Sequence, residues 1–147
     1  KIEWCERLDV NLYKIASRTT VREPKLCEQV IETGKPVYIS LGMWEHEWLP
    51  FENSNVKYFN CISKYPTSIM DFKKFSYDER IVGFSDHSYG VAYALYNVAH
   101  GAQVVEKHFT LNKGMEGNDH IGSMDLGELK ILREYGKQFS NISKAIK

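Results

Sequence analysis

The sequence predicts an α/β fold of parallel strands, namely part of a TIM-type (β/α)₈ barrel containing five βα units. Five short runs rich in β-branched and aromatic residues start 20 to 25 residues apart, with helix-like or loop segments between them. This spacing is typical of repeated βα units. Each run also ends in side chains that can take part in chemistry, at the strand end where α/β folds place their sites.

The five runs are predicted strands because β-branched and aromatic residues dominate them. They occupy residues 11–17, 36–42, 56–63, 81–87 and 103–110. Boundary signals predict three helices, at residues 23–33, at residues 91–100 and after a capping Asp125. Pro24 and Gly34 mark the two ends of the first helix. The long connections, residues 43–53 and 64–80, are expected to be loops with at most a short helical turn.

A closed barrel needs eight strands and about 250 residues, so five units do not close one. An open doubly wound sheet is the alternative architecture, and it concentrates its site at one switch point. Here polar residues follow all five predicted strands. That distribution favours the rim of a barrel, with the strands parallel, in sequential order and with their polar ends together.

The composition excludes several classes of partner. The chain has 43% hydrophobic and 26% charged residues and a formal net charge of zero, so neither nucleic acid nor an anionic membrane is expected as a partner. No apolar run approaches the roughly 18 residues that a membrane span needs. The three cysteines, Cys5, Cys27 and Cys61, are scattered, which favours a reduced, cytoplasmic setting over a disulfide or zinc framework.

The fourth and fifth strands carry a candidate metal site. Because side chains alternate between the faces of a strand, Ser85 and His87 share one face, as do Glu106 and His108. Neighbouring strands lie about 5 Å apart, so the two imidazoles can reach one ion. Two ligands with open positions suit a catalytic metal. The alternative is that each histidine is only a hydrogen-bonded residue of the rim.

The ends of the first three strands carry a candidate anion site. Lys14 supplies a cation, and Ser17, Ser40 and Ser63 supply hydroxyls suited to a phosphate or carboxylate. The alternative is a solvated lysine with turn-capping serines, and Tyr65-Pro66 is by itself more typical of a turn.

The segment at residues 114–123 is rich in glycine and polar residues and directly follows the last strand. Asp119 and His120 are therefore expected to fold over the site, with an ordinary surface loop as the alternative.

Several segments together resemble the sialic acid (N-acetylneuraminate) synthase family. They are YKIAS, TGKPVYISLGM, a strand followed by Tyr-Pro, GFSDHSYG, GAQVVEKHFTLNK and GNDHIGSMD, in that order. The resemblance runs from about Leu8 to the final helix. It implies that residues 1–147 correspond to strands four to eight of the family's catalytic barrel. The first three strands and the antifreeze-like C-terminal domain of the family have no counterpart in this sequence.

The resemblance implies a metal-dependent condensation of phosphoenolpyruvate with an N-acetylated hexosamine, N-acetylmannosamine or a relative with or without a 6-phosphate. The products are a nonulosonic acid and phosphate. By motif match, His87 and His108 would hold Mn²⁺ or Mg²⁺. The phosphoenolpyruvate would be bound by Lys14, Ser17, Ser40, Ser63 and Ser85. Tyr65 would bind the amino sugar, and the carboxylates of Glu106 and Asp119 would be catalytic.

Two positions depart from the family pattern: Ser63 stands where asparagine is usual, and Thr19 where glutamate is frequent. A homo-oligomer is expected, and the chain by itself is expected to be inactive because part of the barrel is missing. Two alternatives stay open. One is a non-catalytic remnant that binds metal or an anion as an interaction module, and the other is a metal-dependent aldolase or hydrolase on the same fold.

Overall fold

Five strands form a single parallel sheet in the computed structural model, which describes residues 1–146. The strands are β1 (Tyr13–Ile15), β2 (Val37–Ser40), β3 (Val56–Cys61), β4 (Ile81–Asp86) and β5 (Val104–Lys107). Their spatial order is β1-β2-β3-β4-β5, and every neighbouring pair is parallel. The predicted topology is therefore confirmed. Each strand is shorter than predicted, by one to four residues.

The helices lie between and after the strands. They are α1 (Ile2–Arg7), α2 (Ser17–Arg22), α3 (Pro24–Ile31), α4 (Ala92–Ala99) and α5 (Leu126–Ala145), with a 3₁₀ turn at Ile69–Asp71. Helix α2 was not predicted: Ser17 was assigned to the end of the first strand, and residues 18–22 lay between that strand and the helix predicted at residues 23–33. Asp125 caps α5 as predicted: its carboxylate accepts a hydrogen bond from the Glu128 backbone N–H. None of the helices within residues 1–146 is long and apolar enough to cross a membrane.

The outward face of the sheet carries the core. Val37, Ile39 and Tyr58 are fully buried there against Cys27 and Ile31 of α3. A second cluster joins Phe84 of β4 to Tyr93 of α4 and Ala102, with the ring of Phe72 stacked on Tyr93 at 3.8 Å between centroids. Because side chains alternate along each strand, this outward packing fixes which residues face inward.

The inward face is packed closely at its base. The ring of Phe59 lies against Gly83, where a Cβ atom would come within 2.5 Å of it. The Nζ atom of Lys14 lies 5.6 Å from the centroid of the same ring. The Phe59 ring therefore lies beneath the polar residues at the carboxyl ends of the strands and closes the inner side of the sheet there.

Candidate active site

A cavity of about 160 Å³ opens at the carboxyl ends of the five strands. Polar side chains from four of the strands and from the residues just beyond them line it, including Lys14, Ser40, Ser85, His87, Glu106 and His108. Most of the residues predicted from separate sequence segments are thus gathered in one place. The parallel, sequential order of the strands produces this result, since it brings all five carboxyl ends to one edge.

Lys14 is held in the cavity by β1 and points toward its neighbours on β2 and β5. Its ammonium donates a hydrogen bond of 2.7 Å to the Ser40 hydroxyl and lies 3.6 Å from a Glu106 carboxylate oxygen. Burial lowers the pKa of Lys14, and attraction to Glu106 offsets only part of this effect. The site therefore holds a partly desolvated cation, which is an environment that favours an anionic ligand.

Glu106 accepts a hydrogen bond from the Ser85 hydroxyl, across the pair that the β4–β5 register places side by side. Burial alone would raise the pKa of the Glu106 carboxyl. The Ser85 hydrogen bond, together with the nearby Lys14, His87 and His108, outweighs burial and lowers it. The carboxylate is consequently ionised at neutral pH and can accept protons or hydrogen bonds from a ligand.

His87 has a defined tautomer. Its Nδ1 atom lies 2.8 Å from the Ile62 carbonyl oxygen, and because a carbonyl only accepts, Nδ1 carries the proton. The lone pair is then on Nε2, which lies 2.7 Å from the Tyr65 hydroxyl. Burial is the main cause that lowers the pKa of His87. A neutral imidazole held by its other nitrogen is the usual state of a metal-ligating histidine.

His108 stands beside His87 at the end of β5, with 5.8 Å between the ring centroids. Two imidazoles bonded to one ion at about 2.1 Å have centroids within about 6.5 Å of each other. The separation of the two rings lies within this limit. Within residues 1–146, no group of three histidine, cysteine or acidic side chains is arranged to hold a metal.

Tyr65 closes one side of the histidine pair. Its ring stacks on His87 at 3.9 Å between centroids and lies 5.6 Å from the ring of His108. Burial is the main cause that raises its pKa to about 12, so the hydroxyl stays protonated at neutral pH and donates to His87. Tyr65 and both histidines also line a second, smaller cavity with Asp119. The histidine pair consequently lies between Lys14 on one side and Asp119 on the other.

The remaining predicted residues fall in different places. The Ser17 and Ser63 hydroxyls are 2.9 Å apart, and Ser17 borders the main cavity from the first turn of α2 rather than from a strand end. His120 is not among the residues that line either cavity, and its Nδ1 lies 2.8 Å from the Thr110 hydroxyl, whereas Asp119 borders the smaller cavity.

Cys61 was missed as a cavity residue. It is buried at the end of β3 and lines the main cavity, with its sulfur 3.8 Å from Nδ1 of His87. Its position two residues before Ser63, on the same face of the strand, was the available signal.

The family model described as "NeuB family" matches residues 1–147 of this sequence, which is the entire chain. This chain belongs to the NeuB family. The pseudaminic acid synthase of Campylobacter jejuni is 32% identical to the NeuB chain over 154 aligned residues, which cover 93% of the chain and 44% of that protein. An uncharacterized protein of Methanocaldococcus jannaschii is 39% identical over 143 residues, covering 88% of the chain and 42% of the relative. The NeuB chain thus spans less than half the length of these curated relatives.

A solved structure confirms the fold. The NeuB chain superimposes on N-acetylneuraminic acid (sialic acid) synthetase from Leptospira borgpetersenii, crystallised with citrate, with a TM-score of 0.78 and 24% identity. The match covers 96% of the NeuB chain and 54% of the synthetase. The five-stranded sheet is therefore a curled part of a TIM-type barrel, as the spacing of the strands predicts.

Proposed function

We propose that this chain forms the part of a synthase site in which phosphoenolpyruvate condenses with an N-acetylated hexosamine to give a nonulosonic acid and phosphate. The observation that supports this most is the content of one cavity. A partly desolvated lysine, an ionised glutamate and a pair of imidazoles face the same space. The two family relatives with functional names make related but different acids, so the hexosamine stays N-acetylmannosamine or a relative, with or without a 6-phosphate.

The anionic substrate is assigned to the Lys14 side of the cavity. Phosphoenolpyruvate carries a phosphate and a carboxylate, and both groups are bound best by cations and hydroxyl donors. Lys14 and Ser40 are already joined by a hydrogen bond and can turn their protons toward such a ligand. Ser85, Ser17 and Ser63 complete this set of donors, the last two as a hydroxyl pair.

The amino sugar is assigned to the Asp119 side, where the smaller cavity begins. The reaction forms a bond from the enol carbon of phosphoenolpyruvate to the aldehyde carbon of the sugar. Water then adds to the resulting oxocarbenium carbon, which bears the phosphate, and phosphate leaves from it. Glu106 and Asp119 would accept protons from sugar hydroxyls or from the water, and the Tyr65 hydroxyl would help to orient the sugar.

His87 and His108 would hold a divalent metal ion, Mn²⁺ or Mg²⁺, as the third part of this proposal. When bound, such an ion supplies Lewis-acid polarisation of the aldehyde oxygen. The fixed tautomer of His87 and the ring separation of 5.8 Å support the assignment. The protein's own part is to place a neutral ring with its lone pair directed into the cavity.

Calorimetric titration of the chain with Mn²⁺ tests the metal assignment. His87→Ala and His108→Ala should each abolish measurable binding, because either loss leaves one protein ligand. His100→Ala is the matched control, since this histidine bonds the Tyr96 carbonyl and lies away from the cavity. Unchanged Mn²⁺ affinity in both site variants would remove the metal from the proposal.

The proposal includes a cytoplasmic setting and a homo-oligomeric assembly. Cys5, Cys27 and Cys61 are all free, which accords with a reducing compartment. Sedimentation equilibrium would test the assembly, and a strictly monomeric chain at high concentration would count against it.

A further inference from the structure

A buried ion pair joins the two strands that carry the histidines. The Lys107 ammonium lies 3.0 Å from a carboxylate oxygen of Asp86, and the side chains are 1% and 0% exposed. The two residues are direct partners in the β4–β5 register. They point to the outward face, opposite to Ser85 and Glu106, so neither residue lines the main cavity, although Asp86 borders the smaller one.

The hydrogen bonds of this pair involve the residues immediately before and after His87 in the chain. The other carboxylate oxygen of Asp86 accepts from both the backbone N–H and the hydroxyl of Ser88, at 2.9 and 2.7 Å. Lys107 also donates to the Ser88 carbonyl oxygen. The residues on both sides of His87 are thereby tied to the residue that immediately precedes His108.

The cost of the pair suggests that it does more than stabilise the fold. Two charges removed from water are often no better for stability than two well-packed apolar side chains of similar size. Other positions on the outward face, such as Phe84, are filled by apolar residues. A fixed ion pair differs from an apolar contact in being directional, because it sets both the separation and the register of the two strand ends.

We infer that Asp86 and Lys107 are positioning residues that fix the distance between His87 and His108. This inference rests on the proposed function, since it assigns the pair a role in metal binding. His87 and His108 each directly follow one residue of the ion pair, on the opposite face of the strand. Because the ion pair holds Asp86 and Lys107 at the last paired position of the two strands, His87 and His108 have little freedom to move relative to each other.

The test is a charge-free variant that keeps the shape of the pair. Asp86→Asn retains an acceptor for Ser88, and Lys107→Met retains most of the side-chain volume. The double variant should remain folded, with Mn²⁺ affinity reduced about tenfold or more, in the range typical of supporting residues around metal ligands. The control is the pair Glu52→Gln with Arg80→Met, which removes an ion pair at the opposite end of β4. The control should lose some thermal stability and keep its Mn²⁺ affinity.

The outcomes separate the inference from the metal assignment. A folded double variant with parental Mn²⁺ affinity would show that the pair is only structural. Failure of the parent chain to bind Mn²⁺ would overturn the metal assignment and this inference together. If the double variant does not fold, Ser88→Ala decides, because it removes one bond that orients Asp86 without leaving a buried charge unpaired. A two- to threefold loss of Mn²⁺ affinity is then expected, and an unchanged affinity would contradict the inference.

Discussion

Replacing Lys14 with Met should separate ligand binding from stability. Met keeps most of the length of the side chain and removes its charge. A hydrogen bond to a charged group contributes about 1.5–3 kcal/mol, so phosphoenolpyruvate affinity should fall about 10- to 150-fold. Isothermal titration calorimetry measures this directly. Lys57→Met is the matched control, since its ammonium donates to the Glu79 carbonyl oxygen outside the cavity.

Stability should respond in the opposite direction. The pKa of Lys14 is lowered in the folded state even with the attraction to Glu106 included, so its charge is a net cost to folding. A lowered lysine pKa means that this cost is present below the folded-state pKa and disappears as the pH approaches the ordinary value of 10.5. Lys14→Met should therefore be at least as stable as the parent at neutral pH, with the difference vanishing near about pH 10. Urea unfolding at both pH values checks the sign.

Two results would refute the reasoning about Lys14. Parental phosphoenolpyruvate affinity in Lys14→Met would show that the anion does not bind on this side of the cavity. A marked loss of stability at neutral pH would show that the interactions of Lys14 with Ser40 and Glu106 outweigh its desolvation. The first result would overturn the functional assignment, and the second only the account of stability.

Two further substitutions test residues around the cavity. Gly83→Ala places a methyl group within 2.5 Å of the Phe59 ring and should lower the free energy of unfolding by about 1–3 kcal/mol, or the Tm by roughly 3–10 °C. Gly122→Ala is the control, because no atom lies within 4 Å of its added Cβ, and equal Tm values for the two variants would contradict the close packing. Tyr65→Phe removes the hydroxyl that is hydrogen-bonded to Nε2 of His87. Mn²⁺ affinity measured by calorimetry should rise about three- to tenfold, because the ion no longer has to displace that hydrogen bond. A lower affinity would instead show that the Tyr65 hydroxyl contributes to binding the ion.

The sequence predicted the strands well because their pattern is local. A parallel strand buried on its outward face needs β-branched and aromatic residues, and turns must follow at regular intervals. The start of α2 was missed for a physical reason. Ser17 ends an apolar run in the sequence, but its backbone is already helical, and no local signal separates a strand-end serine from the first residue of a helix.

The candidate site was predictable to the extent that it depends on alternation along strands. Ser85 with His87, and Glu106 with His108, face the cavity as the period of two requires. The bond between Ser17 and Ser63 and the engagement of His120 by Thr110 depend on how loops pack, which the period cannot show. These contacts could therefore not be predicted from the sequence.

The geometry of the sheet leads to a last prediction, that this chain alone binds its ligands but does not turn over. Within residues 1–146, β1 and β5 each pair with a strand on one side only, so the cavity is open to water along that gap. Positioning two reactants can be equivalent to effective molarities of about 10⁵–10⁸ M, and a missing wall forfeits this advantage and weakens the electrostatic interactions.

The assay is phosphate release from phosphoenolpyruvate and N-acetylmannosamine with Mn²⁺, with the Leptospira borgpetersenii synthetase as the positive control. Retained Mn²⁺ and phosphoenolpyruvate binding without release is the expected result. Robust release by the chain would show that five strands suffice or that a second copy completes the wall, whereas loss of both binding activities would contradict the proposed site itself.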